Sequence, residues 1–288
     1  MLQRKAVLKP SPLARTWFKF FGPIERRFTV KLRRLGGLSL FAMMAAFILN
    51  TDSMAEDQVF SADISVDYYG KYIWRGQNVN DESVLQPNVS GSAYGFTGSI
   101  WANIDLTNGP HQAAPNNAGE FSEIDYTLDY SASVPGAEKL GFSLGVIHYL
   151  FPNTTFTSTT EIYAGANLDF PLSPFFTWYG DVNAIEGSYL QFGFGHSFEK
   201  LAGSVDYNMG LDLSASFAWG SRGYNNGYFG IDEGAWNDLL IGIGVPITLK
   251  YVTLTPSLNI STMLSERIGD ASFERTNVWF GFGLSKGF

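Results

Sequence analysis

The sequence predicts an all-β fold: a 12-stranded antiparallel transmembrane β-barrel that follows an N-terminal signal peptide. Only 16% of the 288 residues are charged, whereas soluble domains average about 25%. Apolar residues alternate with small or polar ones through a dozen short runs, which is the period of a strand with two different faces. After the signal peptide, no apolar run reaches the roughly 20 residues that a membrane helix needs.

The N-terminal segment differs from the rest of the chain in charge. Residues 1–55 contain ten of the 19 Lys and Arg residues but only two of the 27 acidic residues. Basic residues there precede an apolar run at 38–49, and Ser53 and Ala55 provide the small residues of a cleavage site. Twelve apolar residues are too few to span a bilayer as a helix. We therefore predict a signal peptide with a basic N-terminal extension at 1–55 and a barrel at 56–288.

The alternation divides the mature segment into twelve strands, an even number as in bacterial single-chain barrels. They are predicted near residues 59–75, 85–94, 96–107, 121–134, 141–151, 159–170, 175–183, 189–199, 211–220, 238–249, 252–263 and 277–288. Long connections at 76–83, 108–119, 221–237 and 264–276 alternate with short ones, such as a tight turn at Tyr94-Gly95. Long outer loops and short periplasmic turns are typical of outer-membrane β-barrels. The pattern predicts a location in the cell outer membrane of Gram-negative type, with both termini periplasmic.

A soluble β-sandwich or a lipocalin-like barrel is the main alternative, because its strands also alternate. In strand ten, however, Ile241 and Ile243 belong to an apolar band, and the opposite face carries Gly242 and Gly244. A face rich in Gly and Ser suits a crowded interior better than a solvated exterior. We therefore assign the apolar faces to lipid and the other faces to the lumen. In the first strand this assignment places Tyr72 and Trp74 on the lipid face.

The last predicted strand indicates how the barrel is assembled. Phe280, Phe282 and Leu284 share one face, and the sequence finishes on Phe288. This strand resembles the terminal strand of bacterial outer-membrane barrels, and the resemblance implies recognition by the barrel-assembly machinery. Lys286 lies on the apolar face, where its ammonium group can snorkel to the lipid headgroups. The predicted partners are outer-membrane lipids, the assembly machinery and an unidentified small polar solute, with no nucleic acid.

The lumen assignment selects a set of acidic, basic and aromatic residues, with Lys71 and Arg75 as its clearest cations. One interpretation is that these charges pair and plug a small barrel. The other is a wet lumen whose negative potential favours cations or neutral polar solutes. Twelve strands give a bore between filled eight-stranded barrels and open porins. The predicted lumen-lining residues are Asp63, Asp67, Lys71, Arg75, Trp101, Asp105, Glu123, Asp125, Asp129, Tyr149, Glu161, Tyr163, Asp169 and Asp181.

The sequence offers no pattern for catalysis or metal binding. His111 falls in a polar loop, and His148 and His196 are in phase with the apolar faces. Neither of the latter has a Ser two residues away, as a nucleophile–base pair within one strand would need. The chain has no Cys and no metalloprotease or phosphate-loop motif. We therefore predict no enzyme, no metal and no cofactor.

Five segments together resemble an uncharacterised family of proteobacterial outer-membrane proteins. They are YIWRG at 72–76, WANID at 101–105, EID at 123–125, GVIHY at 145–149 and EIYAG at 161–165. Their order and spacing cover residues 58 to 200, and the resemblance implies a porin-like barrel. A weaker similarity is to scaffold barrels that interact with murein hydrolases. The predicted function is a narrow porin-like channel for small polar or cationic solutes. A scaffold barrel with a plugged lumen and a lipid-modifying enzyme are the alternatives, the enzyme being the least supported.

Overall fold

A computed structural model describes residues 60–108 and 118–288, which form a closed antiparallel barrel of twelve wall strands. The predicted fold class is confirmed, whereas the predicted signal peptide and His111 lie outside the described residues. The wall strands are β1 Phe60–Tyr69, β4 Val84–Ala93, β5 Phe96–Asp105, β6 Phe121–Val134, β7 Ala137–Leu150, β8 Thr159–Leu168, β9 Phe175–Asp181, β10 Ser188–Gly203, β11 Tyr207–Gly220, β12 Ala235–Gly244 continued by β13 Ile247–Leu249, β14 Thr253–Met263 and β15 Thr276–Gly287. The other elements are β2 Tyr72–Trp74, β3 Gln77–Asn80, helix α1 Arg222–Phe229 and helix α2 Glu266–Ala271.

Each wall strand pairs with its two neighbours, and pairing of β1 with β15 closes the barrel. Strands β12 and β13 pair with the same neighbours, β11 and β14, so they form one wall strand. Pro246 lies at the interruption between them, because proline has no N–H to donate to a strand ladder. Closure leaves no unpaired strand edge, which is the condition for a sheet to cross lipid.

The two ends of the barrel differ in their connections. The end that carries Phe60 and Phe288, here the turn end, has connections at 94–95, 135–136, 169–174, 204–206 and 250–252. Tyr94 and Gly95 both have positive φ angles, 54° and 84°, as a two-residue hairpin turn requires. The opposite end, here the loop end, has connections at 70–83, 106–120, 151–158, 182–187, 221–234 and 264–275.

The outward face of the wall is apolar and exposed. Leu128, Leu258 and Phe280 have exposed fractions of 53%, 54% and 49%. Exposed apolar patches of this extent are rare on soluble monomers, whereas a barrel in lipid requires such a band around its circumference. In the described residues, no helix has the length and apolar character needed to cross a membrane.

Ile243→Arg is expected to lower the free energy of unfolding by about 2–4 kcal/mol, because it places a charge on the lipid face at mid-strand. Ile243 faces outward and pairs with Leu213 and Leu258. Gly244→Ser is the control, since a Cβ there meets no atom closer than 3.5 Å. Denaturant titration in lipid vesicles measures both. A larger loss for the Gly244 change would mean that the face assignment is reversed.

The prediction for strand one was wrong in its second half. It placed residues 59–75 in one wall strand, with Tyr72 and Trp74 on the lipid face. In the structure β1 ends at Tyr69, which pairs with Val84 of the neighbouring wall strand β4. Residues 70–83 therefore form an insertion between two adjacent wall strands. Within it, β2 and β3 make a separate hairpin that leaves the wall at Gly70.

Candidate functional site in the barrel lumen

The hairpin formed by β2 and β3, here the lumen hairpin, crosses the barrel interior. Its tip is Arg75-Gly76, where both residues have positive φ angles of 46° and 77°. A Cβ atom at Gly76 would lie 2.6 Å from Cβ of Asp238 on β12, so only glycine allows this approach. The hairpin starts at β1 and its tip reaches strands on the far wall. The lumen is therefore spanned near the loop end.

Arg75 fixes the hairpin tip through a buried ion pair. Its Nη1 and Nη2 atoms donate to the two carboxylate oxygens of Glu161 at 2.8 and 2.7 Å. The side chains of Arg75 and Glu161 are only 9% and 2% exposed. Bidentate pairing of a guanidinium with a carboxylate is among the stronger and more directional hydrogen-bonded contacts. The contact therefore fixes both the position and the orientation of the tip.

Aromatic rings enclose the same guanidinium. The Cζ atom of Arg75 lies 4.5 Å from the ring centroid of Trp74, 4.4 Å from that of Tyr179 and 4.5 Å from that of Tyr189. Each distance is within the range of a cation–π contact, which gains strength when the cation is desolvated. Tyr179 belongs to β9, which lies six strands from β1 around the wall in either direction. Arg75 thus joins the hairpin to the wall opposite its origin.

Tyrosine hydroxyls connect the neighbouring carboxylates to this centre. Tyr149 donates to Glu161 at 2.8 Å, and Tyr72 donates to Glu123 at 3.0 Å. Tyr189 on β10 donates in the same way to Asp238 at 2.8 Å. These bonds satisfy carboxylate oxygens that would otherwise be costly to bury.

Helix α1 covers the Arg75 site from the loop end. Ser221 caps its first turn by accepting from the backbone N–H of Tyr224, and Gly230 ends it in the left-handed conformation. The Tyr224 ring is almost fully buried, 5.2 Å from Tyr189 and 4.6 Å from Tyr228. The Ser cap and the Gly nine residues later thus set the two ends of the helix. Between these ends, its tyrosines contact the lumen hairpin.

The loop that follows α1 is solvent-exposed and held by a surface ion pair. Arg222 donates through Nε and Nη2 to Asp232. These hydrogen bonds hold the pKa of the Asp232 carboxyl below its ordinary value. Both side chains are more than half exposed, so the pair orders the loop without adding much stability.

Further toward the turn end, inward aromatic rings lie flat against the wall. Tyr163 faces Gly145 on the neighbouring strand, and a Cβ atom at Gly145 would overlap its ring. Phe175 faces Gly193 in the same arrangement, and Tyr69, at the loop-end terminus of β1, lies over Gly281 in the same way. Glycine opposite a large aromatic is a known cross-strand pairing that covers the glycine backbone. Because the rings lie along the wall, they take less of the bore than rings pointing to the centre.

Most of the predicted lumen residues lie in the loop-end half of the interior. The ring of Trp101 packs against that of Tyr72 at a tilt of 51°, with 5.8 Å between the ring centroids. Asp105 accepts hydrogen bonds from Asn80, and Asp181 accepts from Thr159 and from three backbone N–H groups of the 182–187 connection. Asp181 therefore orders a loop rather than lining open space. The predicted residues that lie in the loop-end part of their strands are Asp105, Glu123, Asp125, Tyr149, Glu161 and Asp181.

The remaining predicted residues lie elsewhere. Asp67 and Asp63 face inward on β1, where they pair with Gly283 and Gly287. Asp129 accepts from Tyr163 at 2.6 Å on the inner face of β6. Lys71 is in the lumen hairpin segment and pairs with Asp81 and Glu274 at 2.5 and 2.9 Å. Asp169 lies in the turn after β8 and is exposed, apart from the other residues.

Four aromatic residues of the site were missed by the sequence reasoning. Tyr72 and Trp74 were assigned to the lipid face, and Tyr224 and Tyr228 to a plain loop. An Arg-Gly pair at a hairpin tip and a Ser-to-Gly helix signature were the available signals. Neither signal indicates that the segment folds inward rather than outward.

The outward face also holds a hydroxyl–imidazole pair. Nδ1 of His148 lies 2.9 Å from Oγ1 of Thr160, which is its cross-strand neighbour on β8. His196 packs edge-on against Phe198 at 4.5 Å. Among the described residues His148 makes no further side-chain hydrogen bond, so the pair lacks the third group that orients a catalytic imidazole.

Neither a protein-family model nor a curated protein sequence matches this chain, so the sequence resemblance to an uncharacterised family stays a prediction. Several solved structures align with most of this chain at low sequence identity. The NanC porin aligns with a TM-score of 0.46 and 10% identity, over 78% of this chain and 98% of the porin. A bacterial polysaccharide outer-membrane secretin aligns with a TM-score of 0.44 and 8% identity, over 81% and 100%. The β-domain of the Bordetella autotransporter BrkA aligns at 0.35 and 10%, over 80% and 98%. The closed wall of antiparallel strands and its exposed apolar outer face are by themselves the architecture of an outer-membrane β-barrel.

Proposed function

We propose that this protein is a narrow outer-membrane channel that favours small cations and neutral polar solutes, constricted near its loop end by the lumen hairpin. The observation that carries the proposal is an excess of carboxylates over available cations inside the barrel. Lys71 is already bound to Asp81 and Glu274, and Arg75 to Glu161. Because these two cations are already paired, their charges do not balance the other carboxylates of the lumen.

Several inward carboxylates have no cationic partner. Within the described part of the chain, Asp105, Glu123, Asp125 and Asp238 form no salt bridge. A lumen with this excess of carboxylates has a negative potential, and low-dielectric walls focus such a potential along the bore. Rings of carboxylates are the usual means by which pores select cations.

The arrangement of the inward aromatics supports an open bore on the turn side of the hairpin. Tyr163 and Phe175 each lie over a glycine of the next strand rather than across the centre. The inner wall there also carries small residues such as Gly242 and Ser214. The hairpin and helix α1 are then the elements that set the narrowest point.

The orientation in the membrane is part of the proposal. Apolar side chains ring the outside of the wall, and the long connections all lie at one end. In bacterial outer-membrane barrels long loops are extracellular and short turns periplasmic. We assign the loop end to the exterior and both termini to the periplasm. In this proposal residues 1–55 direct export, and the assembly machinery recognises β15.

A scaffold barrel with a plugged lumen is the second candidate, and the Arg75–Glu161 pair favours it. This buried ion pair connects the hairpin to the wall on the other side of the lumen. Such a connection strengthens a structural barrel, and a structural barrel does not need an open path for solutes. Planar-bilayer recording of the purified protein separates the two candidates. Discrete conductance steps support the channel, whereas a membrane that stays silent at high protein concentration supports the scaffold.

Asp63→Asn combined with Asp129→Asn is expected to lower the cation preference of the pore, because both carboxylates face the lumen and retain solvent contact. Asp125 is less suitable, since its Oδ1 atom is sealed from solvent. Reversal potentials in a salt gradient measure the cation preference. Acidification of the wild-type protein should also lower this preference, because it protonates the carboxylates.

Asp169→Asn is the matched control, because Asp169 is exposed in a turn outside the bore. Thermal stability is recorded on the same samples. A reversal potential that stays at the wild-type value in the double variant would count against cation selection by the lumen.

A further inference from the structure

A cavity of about 690 Å³ lies at the loop end, beside the lumen hairpin. Its volume is within the roughly 300–1,000 Å³ typical of small-molecule sites. The hairpin, the connections at 151–158 and 182–187 and helix α1 all contribute to its lining. The cavity therefore faces the end of the barrel that carries the long loops.

Aromatic side chains form much of the cavity wall. Tyr149 and Phe151 stack with nearly parallel rings at 6.4 Å, and Trp74 and Tyr228 pack at 5.3 Å. The aromatic residues that line it are Tyr72, Trp74, Tyr149, Phe151, Phe156 and Tyr228. Hydrogen bonds from Tyr72 to Glu123 and from Tyr149 to Glu161 hold two of these rings in place. These two rings are thus held in position without a ligand.

Two carboxylates line the same cavity, and each has one oxygen that accepts no hydrogen bond from the part of the chain that the structure describes. All the hydrogen bonds to Asp105 reach Oδ1, and Glu123 accepts only at Oε2. Within the described residues, Oδ2 of Asp105 and Oε1 of Glu123 therefore accept none. The two residues are 3% and 6% exposed, and no Lys, Arg or His is among the residues that line the cavity.

From this combination we infer that the cavity is a binding site for an organic cation, such as an amine or a quaternary ammonium compound. Aromatic faces attract a cation through their quadrupole, and cages of aromatic rings are the usual site for quaternary ammonium groups. The free oxygens of Asp105 and Glu123 supply the opposite charge. An anionic ligand would meet uncompensated carboxylates, and a neutral one would leave them unpaired.

The inference concerns equilibrium binding and goes beyond the channel function, because a barrel that conducts nothing could still hold the ligand. The probes are choline and its uncharged isostere 3,3-dimethyl-1-butanol, which differ in charge but hardly in shape. Calorimetric titration of the full chain in detergent micelles measures both. Choline is expected to bind at least about tenfold more tightly, a margin that corresponds to one charge contact of moderate strength.

Glu123→Gln is expected to remove most of that preference, because it keeps the shape and the acceptor for Tyr72 while deleting the charge. Asp105→Asn provides a second variant, since its amide oxygen can still accept the bonds now made to Oδ1. Asp169→Asn is the matched control: it changes a carboxylate that is exposed in the turn after β8 and lies outside the cavity lining. This control should retain wild-type affinity for choline.

The outcomes distinguish this site from the channel. Equal affinity for the two probes, no binding of either, or unchanged choline affinity in both cavity variants would each overturn the site. Bilayer conductance and its ion preference are measured on separate samples, so a silent barrel that binds choline rejects the channel and retains the site. If Glu123→Gln does not fold, Asp105→Asn alone decides.

Discussion

Arg75→Ala is expected to lower the free energy of unfolding by about 3–5 kcal/mol, the largest stability effect among the single substitutions discussed. The change removes the counter-charge of Glu161, whose side chain is only 2% exposed in the native barrel. Removing one partner of a buried pair costs far more than the pair contributes, because the remaining charge stays desolvated. Loss of the contacts with Trp74, Tyr179 and Tyr189 adds to the effect. Urea titration in lipid vesicles gives the free energy.

Lys71→Ala is the matched control for this experiment. Lys71 comes from the same hairpin segment and also bridges to acidic residues, but its side chain and those of Asp81 and Glu274 are 22%, 28% and 37% exposed. A pair in contact with water contributes only about 0–1 kcal/mol. The double variant Arg75→Met with Glu161→Gln should be less destabilised than Arg75→Ala, since it leaves no charge buried alone. Similar losses for Arg75→Ala and Lys71→Ala would show that the buried pair does not brace the barrel.

Replacing residues 71–82 with a short Gly-Ser turn is expected to raise the single-channel conductance severalfold. Tyr69 and Val84 already pair as neighbours in the wall, so the barrel can close without the hairpin. The replacement removes the segment that crosses the lumen and leaves the inward glycines and their aromatic partners unchanged. Planar-bilayer recording of both proteins measures the change.

Replacement of α2 by a Gly-Ser linker of equal length serves as the control, because α2 lies in another connection at the same end and makes no contact with Arg75. A hairpin variant whose conductance equals that of wild type would place the constriction elsewhere. A silent wild type that conducts once the hairpin is removed would instead identify a plugged scaffold.

The wall of the barrel could be predicted from the sequence because its signal is local. Lipid outside and crowded space inside impose a period of two on every strand, as in the alternation of Val278, Phe280 and Phe282 with Gly281 and Gly283. The predicted strand at 121–134 has the same bounds as β6, and the Tyr94-Gly95 turn is as expected. Closure follows from the same constraint, since an open edge in lipid leaves backbone groups unpaired.

The candidate site could be predicted only in part. Glu123, Tyr149 and Glu161 were assigned to the lumen because they alternate with outward residues in regular strands. Tyr72 and Trp74 were placed on the wrong face, because their period of two continues that of β1 although the chain has left the wall. Alternation indicates that a segment is extended but not which sheet it joins.

The sequence by itself determined the strand pattern, the orientation of the wall faces and the acidic character of the lumen, because each depends on neighbours along the chain. The tertiary structure alone decided that residues 70–83 fold inward and that Arg75 meets Glu161, a residue 86 positions later. It also decided that α1 brings Tyr224 to the same point. These contacts connect opposite sides of the barrel. Closure of the whole sheet brings their partners together, and the local alternation of residues in the sequence contains no information about which strands meet in this way.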